Sequence, residues 1–142
     1  MGFGKAVHVC FQDYFRFSGR ARRPEFWWFM LFGAIGNLLT VSADLKLFGE
    51  DKLIGLEGLF ILFMVFPLNA VAWRRLHDVG RSGLWNLAPI PLYFLAVTLQ
   101  ETSPGVSALA GMGVIGLTLV VLYWCVIPGE DVENRFGPPL QA

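Results

Sequence analysis

The residues able to do chemistry in this 142-residue chain are few, and they sit in short clusters. His77 and Asp78 are adjacent, and Glu25, Glu130 and Glu133 could serve as second carboxylates for an acid-base pair. The spacing argues against catalysis. Neighbouring residues on a helix point about 100° apart, so His77 and Asp78 do not face each other, and neither Gly-x-Ser-x-Gly nor His-Glu-x-x-His occurs. The two cysteines, Cys10 and Cys125, and the two histidines lack metal-ligand spacing. No enzymatic activity, metal or cofactor is therefore expected. The arginines read differently. Arg16, Arg20, Arg22 and Arg23 fall in one short stretch, and Arg74, Arg75 and Arg81 in another. Guanidinium forks match the paired oxygens of phosphate and carboxylate. Arg20, Arg22, Arg23, Arg74, Arg75 and Arg81 are accordingly the candidate anion-binding residues. Glu25, Asp78 and Arg135 are the candidates for structural ion pairs, with Asp78 an i,i+4 partner of Arg74 if that segment is helical.

The elements that must position these residues follow from composition. The chain is 55% hydrophobic and only 15% charged, against about 25% charged in ordinary soluble domains. A chain this short cannot hide so many apolar residues from water, so lipid is the expected solvent. Four apolar runs approach the ~17–25 residues needed to cross about 30 Å of hydrocarbon. They are residues 26–43, 53–73, 84–100 and 106–127. The third carries Pro89 and Pro91, which remove backbone donors and kink a helix, so a broken or shallow span is an alternative there. The expected fold is all-α: a single polytopic membrane domain of about four transmembrane helices, with residues 128–142 as a tail.

Orientation follows from the basic residues. Lys5, Arg16, Arg20, Arg22 and Arg23 precede the first run, Arg74, Arg75 and Arg81 follow the second, and Arg135 lies in the tail. The loop after the first run has only Lys46 and Lys52, beside Asp44, Glu50 and Asp51. Both termini are expected on the cytoplasmic side of the membrane. A cleavable signal peptide is disfavoured, because a 25-residue leader before the first apolar run is long and further spans follow. Cys10 and Cys125 then lie near the reducing side, where no disulfide forms.

Residues 3–17 have their own helical period. Phe3, Val7, Cys10, Phe11, Tyr14 and Phe15 recur at three- and four-residue steps, opposite Lys5, His8, Gln12, Asp13 and Arg16. An amphipathic helix is expected, lying in the interface or packed against the bundle. Ser18-Gly19 ends it, Pro24 and Glu25 open the first span, and Ser82 can cap the third. All five tryptophans fall near the arginine-bearing side.

Three motifs converge on that side: Gly19-Arg20-Ala21-Arg22-Arg23-Pro24-Glu25-Phe26-Trp27, Arg74-Arg75-Leu76-His77-Asp78, and Asn134-Arg135-Phe136-Gly137-Pro138. In this order, between hydrophobic spans, they resemble the bacterial inner-membrane proteins grouped as domain of unknown function 805. The resemblance covers nearly the whole chain. It departs at Asp131-Val132-Glu133, which lengthens the tail stretch. It implies a multi-span inner-membrane protein and no particular activity.

Two functions compete. A small oligomeric transporter or channel subunit would use the polar residues within spans, Glu57, Asn37, Asn69 and Asn86. A binding or scaffolding module would use the arginine-rich face to recognise an anionic phospholipid headgroup or an acidic partner. The second is the primary expectation, since topology alone does not require arginines so densely clustered. Membrane lipids and a further copy of the chain are the expected partners. Formal net charge is zero, so nucleic acid is not expected.

Overall fold

A computed structural model describes residues 1–47 and 55–140. Glu50, Asp51, Lys52 and the expected start of the second span at residue 53 lie outside the described residues. The helices are α1 (Phe3–Gln12), α2 (Arg23–Leu47), α3 (Leu56–Asp78), α4 (Pro89–Thr98) and α5 (Pro104–Val126), with a 3-10 helix at Gly83–Leu87 before α4. No strand occurs among the described residues.

Three of these helices, α2, α3 and α5, are long and apolar enough to cross a membrane. At 1.5 Å per residue the 23 residues of α5 span roughly 35 Å. Their outer surfaces are apolar: Leu38, Leu62, Leu109 and Met112 are each about two-thirds exposed. That pattern suits lipid and not water. The chain is a multi-pass membrane protein.

Each helix end has a local cause. Pro24 occupies the first turn of α2, where its missing N–H breaks no bond, and Glu25 beside it suits the positive end of the helix. At the far end of α2, buried Asp44 accepts from the backbone N–H groups of Leu56 (2.8 Å) and Glu57 (2.9 Å), capping α3 from outside its own chain segment. This pairing makes α2 and α3 antiparallel. The C-terminal end of α5 meets the C-terminal end of α3, because Arg75 Nε donates to the Cys125 carbonyl (3.1 Å). The chain between residues 79 and 103 must therefore run back along α5.

That return is the prolines' doing. The third apolar run, expected at 84–100 with a break at its prolines as the alternative, is a 3-10 turn, capped by the Ser82 hydroxyl accepting from Leu84 N–H (3.4 Å), followed by ten-residue α4. Pro89 opens α4, where proline is tolerated. Together the two pieces cover roughly 25 Å. Ser107 Oγ donates to the Ala96 carbonyl (2.7 Å), joining the far ends of α4 and α5, and a side chain at Gly113 would press on Leu92.

The amphipathic segment is helical only to Gln12, shorter than the expected 3–17. Its apolar stripe packs on the bundle: Phe11 stands edge-on to Phe29 (5.3 Å) and Phe32 (5.6 Å), and Ala6 and Cys10 are fully buried. Gly19, at φ +85°, then turns the chain into α2.

Candidate anion-binding site at the arginine end of the bundle

The C-terminal end of α3 runs to Asp78, five residues past the expected end of that span, and its last turn is buried. Arg75 is fully buried and binds through every nitrogen. Nε donates to the Cys125 carbonyl, Nη1 to the Ala21 carbonyl (3.4 Å) and the Asp78 carboxylate, and Nη2 to the Ile127 carbonyl. One guanidinium thus joins the start of α2, the end of α3 and the end of α5. Arg20 is used as completely. Its Nε donates to Asp78 Oδ1 (2.8 Å), Nη1 to the Val132 carbonyl (3.0 Å), and Nη2 to the carbonyls of Asp78 (3.2 Å) and Glu130. Asp78 therefore lies between two buried arginines.

Arg74 does not pair with Asp78 as the i,i+4 spacing suggested. Arg75 reaches that carboxylate at i,i+3, while Arg74 faces α1 and α2, where Nη1 meets Glu25 (2.6 Å) and Asp13 (3.3 Å). Cys10 is part of this second cluster. Its thiol pKa is pushed up to about 12 by burial and by the Glu25 charge, with Arg74 opposing the rise.

The tail folds back over the first cluster. Glu130 N–H donates to the Asp78 carbonyl (2.8 Å), and Asn134 Nδ2 donates to the His77 carbonyl (3.0 Å) and to Glu130 Oε2 (2.7 Å). The His77 ring stacks on Phe136 at 3.8 Å and places Nδ1 3.0 Å from the Gly19 carbonyl. Gly129 touches the Asp78 carboxylate where any Cβ would collide. Arg135 forms no ion pair among the described residues. Its guanidinium lies over the Phe136 ring, 4.7 Å from the centroid, instead of docking on a carboxylate.

The six candidate arginines therefore do not form one surface. Arg20, Arg74 and Arg75 are internal. Arg81 is exposed and covers Trp124, 5.0 Å from the ring centroid, on the α4–α5 side. Arg22 is half-buried and Arg23 exposed at the start of α2. Both line a cleft of about 200 Å³ whose other wall is Gly129, Glu130 and Asp131. Arg23 Nη1 donates to the Val126 carbonyl (3.2 Å), and no carboxylate pairs with either residue among the described residues. Two guanidinium groups without a carboxylate partner, beside a helix N-terminus, can hold an oxyanion.

The family model described as a protein of unknown function (DUF805) matches residues 14–138. The chain belongs to this family. The matched region contains Arg20, Glu25, Arg74, Arg75 and Asp78, and Asp13 and Cys10 precede it. The chain is 34% identical over 127 residues to the inner membrane protein YhaI of Escherichia coli strain K12, covering 89% of this chain and 86% of that one. It is 32% identical over 130 residues to the inner membrane protein YhaH of the same strain, covering 89% and 88%. The uncharacterized protein YiiR of that strain is 33% identical over 133 residues, covering 89% and 87%. No solved structure matches the chain.

Three contributors escaped the sequence reading: Asp13 as partner of Arg74, Asn134 as the tail's clamp, and Phe136 as the platform for His77. Asn134 carried a signal, since Asn followed by Gly137 at three residues marks a turn, and its Oδ1 accepts from Phe136 N–H (2.9 Å).

Proposed function

We propose that this chain is a non-enzymatic binding module of the bacterial inner membrane that holds an anionic phospholipid headgroup in the Arg22–Arg23 cleft, with both termini in the cytoplasm. The observation that carries the reading is the division among the arginines. Arg20, Arg74 and Arg75 are held by carboxylates and carbonyls inside the protein, whereas Arg22 and Arg23 line a cleft with no carboxylate paired to them. The cleft sits where α2 begins its apolar run, and the end of a span is where lipid phosphates lie. A phosphodiester fits the two forks, and Asp131 on the opposite wall can accept from the hydroxyls of a phosphatidylglycerol-type headgroup. The lopsided distribution of Lys and Arg supports the orientation. Against catalysis, the His77 ring stacks on Phe136 and turns Nδ1 to the Gly19 carbonyl, with no carboxylate bonded to it among the described residues.

Native mass spectrometry of the detergent-extracted protein tests this. Wild type should retain phosphatidylglycerol, and Arg22→Lys, Arg23→Lys should retain much less, because an ammonium keeps the charge and loses the fork. Equal retention by the two proteins would refute the reading.

A further inference from the structure

Arg74 differs from its two buried neighbours. Its side chain is 3% exposed, and Nη1 carries both of its carboxylate contacts, to Glu25 at 2.6 Å and Asp13 at 3.3 Å. Nε and Nη2 are buried and donate to no acceptor among the described residues. Arg20 and Arg75, buried as deeply, use all three nitrogens. The idle pair on Arg74 is not arbitrary. Nε–H and one Nη2–H run parallel along one side of the guanidinium, the side that matches two oxygens of a single carboxylate or phosphate. The Cys10 thiol beside it does not substitute, since a protonated sulfur is a weak acceptor. A buried donor without an acceptor is unfavourable, and more so on a charged group.

Arg74 also lines a cleft of about 280 Å³ that passes Asp13 and Arg16 at the end of α1 and Phe136 in the tail. Arg16 is exposed, and its Nη1 meets Asp13 at 3.4 Å. Arg16 and Arg74 are balanced there by Asp13 and Glu25, whereas Arg20 shares the single charge of Asp78 with Arg75, which leaves one positive charge in excess. One added negative charge is tolerable in such a lining, whereas a second would meet Asp13 and Glu25 unopposed.

We propose that this cleft binds a singly charged oxyanion of the phosphate class, gripped through the Nε–Nη2 edge of Arg74 with Arg16 at its mouth. The cleft shares Arg20 and Leu140 with the Arg22–Arg23 cleft but includes neither Arg22 nor Arg23. The two sites are separable, and this one does not depend on the function proposed above.

The test reads Arg74 directly. In protein labelled with ¹⁵N-arginine, the Nε–H resonance of Arg74 is assigned through its proton contacts to Cys10 and Glu25. It is then followed while inorganic phosphate replaces chloride at constant ionic strength. A second arm omits phosphate and compares nanodiscs of phosphatidylglycerol with nanodiscs of phosphatidylcholine. A saturable shift at Arg74 with phosphate assigns the site to a free anion, and a shift only with phosphatidylglycerol assigns it to a headgroup. Either result supports the site. A stationary Arg74 resonance in both arms overturns it, even if the Arg22 or Arg23 resonances move. Arg16→Gln, at an exposed position that leaves the core intact, should weaken the phosphate response severalfold, and an unchanged midpoint would overturn the placement.

Discussion

Asp78→Ala removes the one carboxylate shared by two buried guanidinium groups. Asp78 Oδ1 accepts from Arg20 Nε at 2.8 Å and Oδ2 from Arg75 Nη1, with side-chain exposures of 8% for Asp78, 2% for Arg20 and 0% for Arg75. Both guanidinium groups are almost fully buried around the carboxylate and have no second carboxylate within reach among the described residues. Breaking a buried pair costs about 3–5 kcal/mol because the surviving charge is left uncompensated. Two stranded charges place Asp78→Ala at the upper end, with a fall in melting temperature on the order of 10 °C. Glu101→Ala, at an exposed turn between α4 and α5, is the reference and should change stability by no more than about 0.5 kcal/mol. Asp78→Asn should fall between the two, since it keeps an acceptor and loses the charge. Thermal unfolding in detergent, followed by tryptophan fluorescence, measures all three. If Asp78→Ala melts with Glu101→Ala, the buried network does not hold this end of the bundle together.

Further outcomes follow from the same geometry. Gly129→Ala forces a Cβ against the Asp78 carboxylate, so it should destabilise by roughly 1–3 kcal/mol and make the tail more susceptible to protease than in wild type. Cys10 titrates near 12 in the folded protein against an ordinary thiol value of 9.0, so the folded state holds its proton more tightly. That contribution is complete below pH 9 and is lost as pH rises through 12, and wild type should lose more stability across this window than Cys10→Ala. A reporter active only in the cytoplasm should work after Leu140 and fail when placed between Leu99 and Ser103. The reverse pattern would invert the proposed orientation.

The apolar runs that became α2 and α5 were legible because lipid leaves little choice: about 20 residues without charge must form a helix. The end of α3 was not, and the reason is physical. Arg74, Arg75 and Asp78 look like a loop when charge is read residue by residue, yet they are helical and buried because partners from elsewhere satisfy them. Those partners are Asp13, Arg20, Glu25 and the carbonyls of Ala21, Cys125 and Ile127. Arg20 and Asp78 are 58 residues apart, so no periodicity links them. Asp78 and Glu25 could be named as ion-pair candidates from charge and motif, but their actual partners depend on which way the last turn of α3 faces. Arginine clustering likewise singled out one end of the bundle and could not separate internal arginines from those lining the Arg22–Arg23 cleft. Pro89 and Pro91 announced an irregular third segment, and the 3-10 turn with short α4 is the form it takes.

The division between structural and ligand-binding arginines is tested most directly by the melting temperature gained when phosphatidylglycerol is added to delipidated protein. Wild type should gain stability, Arg22→Lys, Arg23→Lys should melt like wild type without lipid and gain little with it, and Arg75→Lys should melt lower with or without lipid. A full lipid-induced gain in Arg22→Lys, Arg23→Lys would contradict the assignment of that cleft to headgroup binding.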